Sequence, residues 1–203
     1  SGGRGGPDGP RGGDSNTPAA VALNNEWVPN GGLETCGRSC LPASHQATMM
    51  RAKGVPVDNI TPTDAAAVQR RKLTLLAEQD DAFAKVASDA QAIEGAIANY
   101  ETAFRMQTQV PELADISREP EKIRALYGLD SKDEHQRYYA TQALRARRLV
   151  EAGVRFVEIT CPSFDGNNSP WDQHGMLKVN HEKNARVTEQ SVAALITDLK
   201  QRG

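Results

Sequence analysis

The sequence predicts an α/β chain, mostly helical with one clear strand, that forms part of a sheet fold rather than a complete domain. Three observations carry that expectation. Apolar residues step by seven, three and four from Leu76 to Phe104. A single stretch near residue 154 alternates apolar with polar side chains. The opening of the chain is dominated by glycine and proline.

The 203 residues suffice for one ordinary domain. A net charge of −2 excludes a general nucleic-acid binder, because phosphate neutralisation needs a basic surplus. No apolar run approaches the roughly 20 residues of a membrane span. No basic–apolar leader opens the chain, so no signal peptide is read in it.

Residues 1–62 read as a Gly/Pro-rich extended segment and loop. Their composition denies both helix and ladder, so residues 1–30 are expected to be extended and poor in secondary structure and, where ordered, held by other chains. Trp27, Leu33, Leu41, Met49, Met50 and Val57 are scattered apolar anchors. The Met49-Met50 pair reads as gap-filling packing. Cys36, Cys40 and Cys161 leave three alternatives open. They are unrelated thiols, or Cys36 and Cys40 form a disulfide, or all three join a histidine in a zinc site.

Residues 63–203 form the helical region. Asp64 is the expected N-cap of the first helix. Leu76, Phe83, Val86, Ala90, Ile93, Ile97, Tyr100 and Phe104 mark one stripe along a helix or helix pair, which Val110-Pro111 ends. The stripe reads as a core-facing or partner-facing seam, with a coiled-coil rod as the sharper alternative. A short helix opens at Glu119-Pro120-Glu121 and closes at Gly128. A further helix spans 132–151, with Arg145, Arg147 and Arg148 on its solvated face. Residues 154–160 are the strand. A last helix spans 180–201, with Val192, Leu195, Ile196 and Leu199 on its apolar face. A lone strand has two unpaired edges and is not stable in water. The chain alone is therefore expected to hold no sheet of three or more strands. The rest of the sheet is expected in a missing part of the protein or in another chain.

The loop that leaves the strand carries the candidate chemistry: Trp171-Asp172-Gln173-His174-Gly175. Open α/β sheets place ligands at the C-terminal ends of their strands. Asp172 and His174, two apart in extended backbone, point to one side and can reach one divalent cation. Trp171 walls the site. His181 and Asn180, at the start of the next helix, stand as groups that orient the ligands from behind or as substrate contacts. A plain Asp–His hydrogen bond accounts for the same spacing. His45 reads as a loop residue and His135 as an exposed helix residue.

The run from Arg147 to Glu158, the Trp171–Gly175 loop, Asn180-His181 and the run from Ala193 to Gly203 resemble a bacterial family of unknown function. That family is grouped with the alkaline phosphatase superfamily as sulfatase-like proteins. Tyr100-Glu101-Thr102-Ala103-Phe104-Arg105-Met106-Gln107 and Leu126-Tyr127-Gly128-Leu129 also match. Cys40-Leu41-Pro42-Ala43 stands where the family has Gly-Phe-Leu-Pro, and Glu189 where it has Asp. The resemblance covers residues 31–203 and is strongest in roughly the last sixty. It implies an alkaline-phosphatase-like sheet fold and export or a periplasmic location. It also implies a divalent metal, zinc or similar, with Asp172 and His174 among its ligands. Two cations in such sites clamp the attacking and leaving oxygens of a phosphoester or sulfoester. The family's upstream Gly-rich segment and its downstream Gly-Glu-Phe-Gly-Arg-Thr-Pro and Gly-Arg-Asp-His runs are not found. The expectation is therefore a fragment of a metal-dependent hydrolase-like protein, inactive as this chain alone. Such a chain is expected either to hold no metal or to hold one only where Glu158, His181 or another chain completes the shell. The alternative is a non-catalytic subunit or scaffold that docks on a larger assembly through its helices and N-terminal tail.

Overall fold

The computed structural model describes residues 17–24, 47–51, 54–57, 60–86, 90–161 and 171–203. Trp27, Leu33, Cys36, Cys40, Leu41 and His45 lie outside the described residues, as does most of the Gly/Pro-rich opening, and with Cys36 and Cys40 go the alternatives open for them. The architecture is α/β and mostly helical, with one small parallel sheet.

That sheet overturns the expectation of a lone strand. Strands β1 (Ala20–Asn24), β2 (Thr48–Arg51) and β3 (Phe156–Ile159) pair in the order β2-β1-β3. Both pairings are parallel. Val21 lies across from Val157 on one side and Thr48 on the other. Leu23 lies across from Ile159 and Met50. The strand read at 154–160 is thus held by its own chain, not by another. Two of the three strands come from residues 1–62 and the third from residues 63–203, so the sheet joins the two segments. Within residues 1–30, the stretch at β1 is extended as expected but is held by ladder pairing within the chain.

The reason is physical. A central parallel strand is covered on both faces and reads as a continuous apolar run, without the alternation that marks a half-buried strand. Ala-Val-Ala-Leu is such a run, and its alanines carry little strand preference. Val21, Ala22 and Leu23 are buried. Met50 of β2 is buried too, which agrees with a packing role.

The helices are α1 (Ala66–Ala84), α2 (Ala90–Ala114), α3 (Glu121–Tyr127), α4 (Glu134–Glu151) and α5 (Leu177–Arg202). The long stripe belongs to a helix pair, α1 and α2, which pack together. Asp64 does not cap α1: Ala65 holds that position with no side-chain bond. Asp64 instead takes Lys72 Nζ at 2.6 Å. Asp133 does cap α4, accepting from the amides of His135 and Gln136 at 2.8 and 3.4 Å. Gly128 ends α3 with φ of 91°. Glycine answers the left-handed backbone there, and a Cβ would also stand 3.0 Å from the tip of the Gln190 side chain. His135, expected to be exposed, is half-buried.

Two apolar clusters hold the elements. Val21, Leu23 and Met50 of the sheet pack with Met106, Val110 and Ala114 of α2 and Ala146 and Leu149 of α4. Tyr127, Ala140, Ala143, Leu144 and Ala194 join α3, α4 and α5. On α5 the buried face differs from the expected one. Asn184, Val187, Ser191, Ala194 and Asp198 turn inward, while Val192 and Ile196 are exposed. Small and polar residues win this face because each polar group finds a partner. Ser191 Oγ donates to the Tyr127 carbonyl at 2.9 Å, and Asp198 Oδ2 accepts from Tyr127 OH at 3.1 Å.

Candidate functional site

All three strands run parallel, so their C-terminal ends share one edge of the sheet. Cys161 follows β3 at that edge, and residues 171–176 lead back into α5. Asp172 Oδ1 and His174 Nε2 meet at 3.0 Å. The two-residue spacing therefore does bring the carboxylate and the imidazole together. Their side chains are 61% and 89% exposed, so the pair stands open to solvent.

Trp171 links the end of β3 to α5 through two contacts. Its indole Nε1 donates to Cys161 Sγ at 3.2 Å. Its ring meets His181 edge-on, with centroids 5.7 Å apart and planes at 78°. His181 Nδ1 lies 3.1 Å from the Leu177 carbonyl. Asn180 Nδ2 donates to the Gly175 carbonyl at 3.1 Å and pins the turn before α5. Trp171, Asn180 and His181 thus brace the loop. Burial pushes the Cys161 thiol up, and the Trp171 N–H offsets part of that rise.

Among the described residues, no third His, Cys, Asp or Glu joins Asp172 and His174 in a group that could hold a metal ion. Glu158 and His181 do not complete the shell there. The donor chemistry of the pair suits a divalent cation, and it supplies two of the three or four protein groups such sites use.

A second polar cluster escaped the sequence reading. Arg145, Arg147 and Arg148 were expected on a solvated face, but Arg147 is buried and the other two are half-buried. Arg148 Nη1 and Arg147 Nη2 each approach a Glu119 oxygen at 2.6 Å. Arg147 Nη1 reaches Glu151 at 2.5 Å, and Arg147 Nε faces Asp198 at 3.5 Å. The Nη2 and Nε contacts lack hydrogen-bond geometry and act as ionic contacts. Arg202 closes the ring, donating to Asp198 Oδ1 and Glu151 Oε1 at 2.7 Å each. Burial alone would raise the Glu119 carboxyl, yet the two guanidiniums outweigh it and hold the group below its ordinary range. Tyr127 is pushed well up by burial and by the Asp198 charge. One signal in the sequence pointed here. Arg147 falls three and four residues after Leu144 and Ala143, on the apolar face itself. The ring ties α4, α5 and the residues before α3 together and lies within the packed interior, so it reads as structural.

Among the described residues, no helix is long and apolar enough to cross a membrane. No curated protein and no solved structure matches the chain. A family model matches residues 9–203, nearly the whole length, and on that match the chain belongs to the family described as Protein of unknown function (DUF1501).

Proposed function

We propose that this chain is part of a metal-dependent hydrolase-like protein that acts on phosphoesters or sulfoesters, with a fold of the alkaline phosphatase type. The observation that supports this reading is the 3.0 Å Asp172–His174 pair on the loop beyond a parallel strand. An anionic oxygen and a neutral imidazole nitrogen at that spacing are donors for zinc or a similar cation. A bound cation would polarise an ester oxygen. The chain's own part is to present the two donors and to fix their loop through Trp171, Asn180 and His181. Export to the periplasm or beyond belongs to the same reading. A scaffold role is the second reading, favoured by the exposed apolar side chains of α1, Leu75, Leu76 and Phe83.

Calorimetric titration of the purified chain with zinc or manganese tests the proposal. Two donors bind weakly, so the expected dissociation constant is about 10 µM or higher. Asp172→Ala and His174→Ala should each weaken binding by at least about tenfold. Tight binding that survives both substitutions would remove these residues from the site. Ester hydrolysis by this chain alone is expected to be undetectable, and robust turnover would place the active site elsewhere.

A further inference from the structure

Helix α1 stands apart from the other long helices in burying no residue at all. Its contact with α2 occupies only one flank, where Leu73, Ala77 and Ala84 are half-buried. Beside that flank runs an exposed apolar stripe: Val68, Leu75, Leu76 and Phe83, with Phe83 60% exposed. Free leucine and phenylalanine in a row along a helix mark a surface built to be covered.

We propose that a second copy of this chain covers the stripe, with the two α1 helices packed antiparallel about a two-fold axis between Leu75 and Leu76. The placement of the apolar residues fits that axis. Val68 and Phe83 are equally far from it in sequence, so each meets the other across the seam, and Leu75 meets Leu76. An isologous contact requires this self-complementarity.

Charge selects the same arrangement. The first half of α1 carries Arg70, Arg71 and Lys72, and the second half carries Glu78, Asp80 and Asp81. A parallel pair would set like charge on like, while an antiparallel pair sets basic halves on acidic ones. Within the chain Arg70 is already engaged, reaching Glu101 at 3.0 Å and lying over the Phe104 ring. Lys72 is held by Asp64. Arg71 and Glu78 are the pair left to decide the contact. They lie seven residues apart on the same flank of the stripe, and neither has an opposite charge three or four residues away on its own helix. In an antiparallel seam, residues on one flank face their equivalents on the same flank of the partner. The two-fold sets Arg71 and Glu78 of the second copy on the same flank, offset by two residues or about 3 Å along the seam, within reach of a long guanidinium side chain, and it does so twice. Lys72 lies within the stripe opposite Gln79, where its methylene stem covers apolar surface and its head stays with Asp64.

The oligomeric state of the whole chain, followed by sedimentation velocity from about 1 to 500 µM, tests this. A concentration-dependent dimer is expected. Leu76→Asp should abolish it. Arg71→Glu and Glu78→Arg should each weaken it by about tenfold or more, because each sets like charges together twice. The double variant R71E/E78R should return affinity to within about threefold of the parent. Helicity by circular dichroism should be unchanged in all four, since these side chains are exposed in the single chain. A parent chain that stays monomeric at the highest concentration would overturn the proposal. So would a dimer indifferent to Leu76→Asp, or single reversals that the double variant does not rescue.

Discussion

Arg147 sits in the packed interior with 4% of its side chain exposed, between carboxylates of 6% and 3% exposure, Glu119 and Asp198. A buried ion pair adds little over a well-packed apolar equivalent, but breaking one leaves a charge stranded. Arg147→Ala leaves Glu119 to Arg148 alone and Asp198 to Arg202 and Tyr127, so a loss toward the lower end of about 3–5 kcal/mol is expected in a denaturant melt. Glu119 adds a pH signature. Its folded pKa lies below its unfolded value, so its contribution is complete above the unfolded value and is lost as pH falls through the folded one. The melting temperature of the parent should therefore drop as pH falls below about 4.5. Glu119→Gln should be less stable at neutral pH and show a flatter acid limb. An acid limb unchanged by that substitution would mean that another carboxylate governs it. At this scale the candidate site was the more legible of the two clusters, because Asp172 and His174 are neighbours in sequence. The charge ring was not, because its members come from residues 119, 147, 148, 151, 198 and 202 and meet only through the fold.

The end of α2 shows why an element boundary can be hidden from its own sequence. Pro111 lacks an amide hydrogen, and Val110-Pro111 reads as a stop. The helix continues to Ala114 because another helix caps it. Arg148 Nε donates to the Leu113 carbonyl at 2.9 Å and Nη2 to Glu112 at 2.9 Å, while Arg145 Nε donates to Ala114 at 3.0 Å. The last carbonyls of a helix have no partner within it, so three guanidinium bonds from α4 stabilise a turn that local sequence disfavours. Burial lowers the Arg145 pKa, yet an arginine stays charged at any ordinary pH and remains a donor. Arg148→Ala removes two of these bonds and one Glu119 contact. It should cost about 2–4 kcal/mol and speed hydrogen exchange at residues 112–115 relative to the middle of α4. Uniform exchange across both regions would show that the cap does not hold the turn. The inward face of α5 was hidden for the same reason. Ser191 and Asp198 are polar by sequence and buried only because Tyr127 and Arg202 satisfy them.

The whole molecule depends on a strand of five residues. Helix positions were legible because amphipathic periodicity is local, whereas β1 is defined by neighbours more than twenty residues and more than a hundred residues away. Without β1, the edge strands β2 and β3 share no neighbour. Its side chains also belong to the first apolar cluster, in which Val21 and Leu23 are joined with residues of α2 and α4. Sheet and helices should therefore unfold together. Leu23 is fully buried, and Leu23→Ala should cost about 2–5 kcal/mol through lost burial and the cavity left behind. Ala22→Pro removes an amide from the centre of a two-sided ladder and should abolish the cooperative transition, although the helices α4 and α5 retain part of their far-ultraviolet signal. The contrast decides between two views of the opening segment. If it were an appendage resting on a partner, both variants would melt like the parent chain. If β1 is the middle of the sheet, both should lose stability, and the proline variant should lose it outright.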